Sequence, residues 1–181
     1  GECFDKAARF MGLSYPGGVT LDKIATVADT AKYPLPTPKT GENDLDFSFS
    51  GLKTSFLYTL RDAVTKDPDF VEKNKADLCA SLQKTIIDIL INKLKRAAKD
   101  LKITEIAVAG GVSANSGLRD ALLDLGRRHR WIVHIPPFAY TTDNAAMIAF
   151  AGMLRARAGD FSTLDTPVDP NLKLAGVQLR K

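Results

Sequence analysis

Histidine, cysteine and tryptophan are scarce in this sequence of 181 residues, which holds two His, two Cys and one Trp. Cys3 and Cys79 are too few and too far apart for a disulfide framework or a cysteine-rich zinc site. Their small number fits a reducing compartment. His129 and His134 have no partner at helical metal-binding spacing and read as structural. No apolar run approaches the roughly 18 to 20 residues that span a bilayer. The densest stretch, Ile86 to Ile91, is interrupted by Asp88. No secretory-signal pattern is visible. Charge of one sign is not in great excess, the net value being +4, so an acidic partner such as RNA is only weakly indicated. With 45% hydrophobic and 25% charged residues the composition is that of a globular domain, or of two closely joined subdomains, and it argues against wholesale disorder. A chain of this size buries roughly 70% of its unfolded surface, so a core forms without staples.

Phe4, Ala7, Ala8 and Met11 follow helical spacing, with Gly12 as the stop. The chain opens inside this pattern, without an initiator Met or an N-cap residue, which reads as a fragment. Ser14 to Gly18 is a turn, followed by a short helix carried by Leu21, Ile24, Ala25 and Ala28 with Asp22 in its first turn. Pro34, Pro36 and Pro38 exclude helix from Tyr33 to Gly41. Leu45, Phe47 and Phe49 alternate with polar residues and predict a strand over 45–49, then a helix over 52–64. Leu78, Leu82, Ile86, Ile89, Leu90, Leu94 and Ala97 mark the buried stripe of a long central helix over 70–101. A strand at 103–109, a Gly110-Gly111 turn, a helix at 114–125 and a strand at 131–135 form a βαβ unit with a parallel pair. A last helix runs from a Thr141 or Thr142 cap to Arg157. The expected organisation is a helix-rich segment 1–102 with a short strand region at 45–49, a βαβ-containing core with the final helix at 103–158, and an irregular tail at 159–181.

Three stretches can carry chemistry. Gly110-Gly111-Val112-Ser113-Ala114-Asn115 follows a strand and opens a helix, where glycines admit a ligand to the backbone and free N–H groups attract phosphate or sugar oxygens. Asn115 can donate to and accept from a ribose or base. The plainer alternative is a βα turn with Ser113 as N-cap. Asp143, in Thr141 to Met147, sits in the first turn of a helix and suits a metal ligand, a general base or an ordinary capping acid. Lys53, in Phe47 to Thr54, can pair with phosphate or simply be solvated, and the stretch lacks the second glycine of a Walker loop. The basic run Arg127 to Arg130 favours the negative pole of the preceding helix, and RNA contact is a minor alternative. No nucleophile elbow and no convincing Ser/His/Asp set is present.

Five stretches in this order resemble the bacterial TsaD family, the tRNA N6-adenosine threonylcarbamoyltransferases formerly called Gcp or glycoprotease-like. They are Gly1 to Lys6, Tyr15 to Gly18, Asp46 to Thr54, Ala109 to Asn115 and Thr142 to Ala149. The resemblance covers nearly the whole chain. It implies an α/β, actin/Hsp70/sugar-kinase-like (ASKHA, RNase H-like) lobe with a helical insertion, an incomplete fold holding the C-terminal half. The activity it implies is transfer of the threonylcarbamoyl group from threonylcarbamoyl-adenylate to N6 of the adenosine next to the anticodon. By motif match Asp5, Gly18, Asp22 and Asn115 contact the adenylate, with Asn115 on the side away from Asp22, and Asp143 ligates one divalent metal ion, iron or zinc. The family's other metal ligands are two histidines, absent from this chain together with the glycine-rich loop of the other half. One carboxylate alone holds a metal poorly. This chain is therefore expected to be inactive alone. The implied partners are tRNA, a TsaB-type paralogous subunit and a TsaE-type ATPase, in the cytoplasm, without membrane attachment.

The competing class is a nucleotide-binding ATPase-like or chaperone-like member of the same broad fold, which lacks the Asp143 motif joined to a histidine pair. A scaffold subdomain that binds a paralogous partner is the non-enzymatic alternative, favoured by an exposed apolar helix face. The historical glycopeptidase label has no nucleophile–base pair behind it. The transfer asks for few catalytic side chains, because the acyl-adenylate is already activated, and no residue here is assigned as a general base.

Overall fold

The computed structural model describes residues 1–29, 32–38, 45–168 and 170. Residues 39–41 of the proline-rich stretch and, in the irregular tail, 169 and 171–181 lie outside the described residues. The elements are α1 (Glu2–Phe10), α2 (Gly17–Ala25), α3 (Phe49–Lys66), α4 (Phe70–Leu101), β1 (Glu105–Ala107), α5 (Ser116–His129), β2 (Ile132–His134) and α6 (Ala145–Arg157). Short 3-10 turns occupy Gly111–Ala114 and Phe138–Tyr140. The protein is thus mostly helical α/β with a small parallel sheet, in which Glu105 pairs with Ile132, Ile106 with Val133 and Ala107 with His134. No helix among the described residues is long and apolar enough to cross a membrane.

Contacts divide the chain into two compact units, Gly1–Thr142 and Asp143–Lys181. The helix-rich segment and the strand–helix–strand stretch share the first unit. Its core forms where helical stripes meet: Phe4, Ala7 and Met11 from α1, Leu21 from α2, Leu52, Phe56 and Leu60 from α3, and Leu78, Leu82 and Ile86 from α4. Spacing of three or four places each set on one helical face. Each fully buried Leu or Phe contributes about 1.5–3 kcal/mol of transfer free energy. The 32 residues of α4 match the limits its periodicity predicts. Ile106, Leu118, Leu122 and Leu125 are buried around α5 and β1. Gly117 lets α5 approach α4, since a Cβ there would lie 2.9 Å from Ile87 Cδ1 and 3.0 Å from Gln83 Nε2.

The strand expected over 45–49 does not form: α3 already begins at Phe49, and the sheet among the described residues holds only β1 and β2. Alternation tells which side chains share a face but supplies no ladder partner. Here Phe47 stacks on Phe49 with centroids 5.5 Å apart, and the Lys93 ammonium donates to the Asp46 carbonyl. Leu45 and Phe47 line an apolar cavity of about 300 Å³ with Leu90, Leu94, Ile106 and Leu122.

Two helix starts also shift. The N-cap of α2 is Pro16, in an extended conformation, so the helix begins four residues before Leu21. Asp22 is consequently in its second turn, and the first turn holds no acid. After β1, Gly110 takes φ +87°, a value glycine adopts without strain, and the 3-10 turn follows. Ser113 Oγ donates to Gly110 O at 2.6 Å and so does not cap α5. Asn115 does, its Oδ1 accepting from Leu118 N at 2.9 Å. In the second unit α6 is capped by Asn144, whose Oδ1 accepts from Met147 N at 3.1 Å, and none of its residues is buried.

Candidate functional site

Asp22 and Asn115, 93 positions apart in sequence, meet at the N-terminus of α5. Asn115 Nδ2 donates to Asp22 Oδ1 at 3.1 Å and to Gln83 Oε1 at 2.8 Å. Ser116 donates twice to the same carboxylate, from its backbone N to Oδ2 at 2.9 Å and from Oγ to Oδ1 at 2.8 Å. Helices α2, α4 and α5 are thereby joined through one polar junction, in which Gln83 and Asn115 are buried and Asp22 and Ser116 half-buried. The carboxylate also faces the positive pole of α5, which favours a negative charge there. Three of the roughly four acceptor positions of a carboxylate are in use, so Asp22 keeps capacity for about one more donor.

Asp5 and Gly18 form the adjoining pair. Gly18 N donates to Asp5 Oδ1 at 3.1 Å. Gly18 and Asp22 are four residues apart on α2 and therefore share a face. The four residues expected at the nucleotide thus lie in one first-unit neighbourhood, Asp5 with Gly18 and Asp22 with Asn115. Asn115 does not lie on the side away from Asp22: the two side chains touch. Nor is Gly18 the glycine that close packing requires. A Cβ at Gly18 would sit an ordinary 3.7 Å from Phe4 Cβ, whereas at Gly17 it would lie 2.5 Å from Ala8 Cβ. Asp5 borders a notch of about 200 Å³ shared with Arg9, Ser14 and Tyr15.

Gln83 and Ser116 were not singled out from the sequence. Gln83 had a readable signal, a polar residue beside the apolar stripe of α4, where it is buried at 7% exposure. Ser116 had none, since its role depends on where Asp22 comes to rest.

Lys53 pairs with Glu2 at 3.3 Å. Hydrogen bonds from Lys6, and then from Lys53, hold the Glu2 carboxyl below its ordinary range. His134 Nε2 lies 2.7 Å from Glu105 Oε1 across the sheet, and His129 stacks on Trp131 at 4.9 Å, so both histidines have structural partners. Arg128 pairs with Asp124 at 2.7 Å at the end of α5. Asp143 is exposed and precedes the Asn144 cap, so it lies outside the first turn of α6 and is not its capping acid. No group of three His, Cys, Asp or Glu that could hold a metal ion occurs among the described residues. These residues alone therefore do not fit a metal site.

The sequence matches the TsaD family, described as tRNA N6-adenosine threonylcarbamoyltransferase, over residues 1–150. The chain belongs to the TsaD family. Among proteins bearing that enzyme name, it is 58% identical over 165 residues to the one from Porphyromonas gingivalis, covering 91% of this chain and 48% of that protein. It is 52% identical over 167 residues to the one from Phocaeicola vulgatus, with 92% and 49% covered. With the protein from Thermotoga neapolitana it shares 44% over 174 residues, covering 96% and 51%. The chain spans about half the length of these curated TsaD relatives.

Proposed function

We propose that the whole protein transfers a threonylcarbamoyl group from threonylcarbamoyl-adenylate to N6 of the adenosine next to the anticodon of tRNA. This chain then supplies the nucleotide-facing part of an actin/Hsp70/sugar-kinase-like lobe. In the reaction the N6 lone pair attacks the carbamoyl carbonyl carbon. The bond from that carbon to the adenylate oxygen breaks, AMP leaves with the electron pair, and the N6 proton passes to solvent. The leaving group is already good, so the protein's main task is to hold carbonyl and amine together and stabilise the developing charge. Asp5 and Asp22 present carboxylate oxygens to the ribose hydroxyls, Gly18 admits the nucleoside to the α2 backbone, and Asn115 faces the sugar or base edge. Asp143 contributes one ligand to a divalent metal, iron or zinc, whose other ligands lie outside this chain. TsaB-type and TsaE-type proteins are the proposed partners, and the cytoplasm the proposed compartment.

The observation that supports this reading is the junction of Asp22 with Asn115 and Ser116, beside the Asp5–Gly18 pair. Calorimetric titration of the whole protein with AMP tests it. Asp5→Ala and Asp22→Ala should each weaken binding by about 1–3 kcal/mol, the cost of leaving polar groups unpaired. Unchanged affinity in both variants overturns the assignment. This chain alone, incubated with threonylcarbamoyl-adenylate and unmodified tRNA, should yield no modified adenosine on nucleoside analysis.

A further inference from the structure

Arg119 lies one turn into α5 and is half-buried, and among the described residues no acidic side chain pairs with it. Its guanidinium is spent on backbone. Nε donates to Ser113 O at 2.7 Å, and a terminal nitrogen donates to Pro136 O, also at 2.7 Å. The Phe138 ring covers the cation at 4.0 Å from its centroid. Ser113 belongs to the loop that leaves the C-terminal end of β1, while Pro136 and Phe138 belong to the one that leaves β2. In parallel α/β sheets these loop ends are where ligands bind.

Each loop has its own anchors as well. The first is tied at Asn115 by Asp22 and Gln83, and within itself by Ser113 Oγ on Gly110 O. The second closes a 3-10 turn, with Thr141 buried and its Oγ1 donating to Phe138 O at 2.8 Å. Arg119 bridges the two. A planar guanidinium holds two carbonyls in a fixed fork and lies flat on an aromatic face at the same time, whereas an ammonium is a point charge with no such plane.

We infer that Arg119 is a positioning residue that sets the β2 loop against the β1 loop, and through it the alignment of the reacting groups rather than the affinity for the nucleotide. The inference rests on the reading of function above. Because the contacts proposed for the nucleotide keep their own supports, losing Arg119 should loosen mainly the 136–141 segment, which runs on in sequence toward Asp143.

Amide hydrogen exchange on the whole protein tests the mechanical part without any activity. In Arg119→Ala the amides of Tyr140 and Thr141, bonded to Pro137 O and Phe138 O, should exchange about tenfold faster or more. The Leu118 amide, held by Asn115, should be nearly unchanged. Equal loosening at Leu118, or no change at Tyr140 and Thr141, overturns the inference. In the whole protein kcat should fall about 10- to 100-fold, with KM for the adenylate within about twofold. A raised KM at constant kcat overturns it. Arg119→Lys should restore little of kcat, and full recovery would show that charge alone acts. If the wild-type whole protein forms no modified adenosine, the reading of function fails while the exchange result still decides for or against Arg119.

Discussion

Replacing Gly17 with alanine tests the close approach of α2 to α1. The added Cβ would lie 2.5 Å from Ala8 Cβ, 3.0 Å from Asp5 Cα and 3.3 Å from Asp5 O. None of these atoms is the far end of a flexible side chain, and Ala8 is completely buried. Carbon atoms rest about 3.5–4.0 Å apart, so α1 must move off α2 by about 1 Å. Overpacking of this kind costs about 1–3 kcal/mol. Better helix propensity returns up to about 1 kcal/mol. The expected net loss is about 1–2 kcal/mol, a fall in Tm of about 2–8 °C for a chain of this size. Gly18→Ala is the control one residue away. Its Cβ would meet only Phe4 Cβ, at 3.7 Å, so the unfolding midpoint should stay level or rise slightly. Thermal unfolding by circular dichroism and urea midpoints measure both. The reasoning is refuted if Gly17→Ala unfolds at or above the wild-type temperature, or if Gly18→Ala is the more damaging change. In the whole protein the order should reverse for ligand binding: Gly18→Ala should weaken AMP binding out of proportion to its effect on stability.

The C-terminal cap of α4 is Lys102, in the left-handed region at φ 55° and ψ 39°. Left-handed backbone costs an L-residue about 1–2 kcal/mol, part of which glycine gives back as unfolded-chain entropy. Lys102→Gly should therefore raise the unfolding free energy by up to about 1 kcal/mol, read as a higher urea midpoint, and a lowered midpoint would count against the strain. Burial pushes the Cys79 thiol from 9.0 up to about 11. Its neutral form is the one the fold favours, so the associated stability is complete below pH 9 and is lost as pH rises through about 11. The stability advantage of wild type over Cys79→Ala should narrow over that interval, and a gap constant with pH would contradict it. Native Cys79 should also react with a disulfide reagent at pH 8 far more slowly than an exposed thiol.

Helical periodicity is a local property, and the sequence by itself determined most of what is local here. Leu78, Leu82, Ile86 and Ile89 recur at helical spacing, so α4 and its buried face are readable without any partner. The order strand, glycine turn, helix, strand likewise dictates the parallel pair β1–β2, since so short a crossover admits few alternatives. The βα turn at Gly110–Asn115 is legible for the same reason. Leu45, Phe47 and Phe49 mark the limit of this reasoning. Their alternation satisfies a strand pattern, but only the fold decides whether a neighbouring strand is present to accept the hydrogen bonds, and among the described residues none lies beside Leu45–Ser48. Asp22 shows the same limit at the candidate site. Motif resemblance marked it, yet its neighbours Asn115 and Ser116 are more than ninety positions away, and its hydrogen bonds exist only because α2, α4 and α5 converge. Ser116 and Arg119 were chosen by the tertiary structure alone: what a polar side chain does depends on which carboxylates and carbonyls are left facing it once the helices have packed, and no spacing along the chain encodes that.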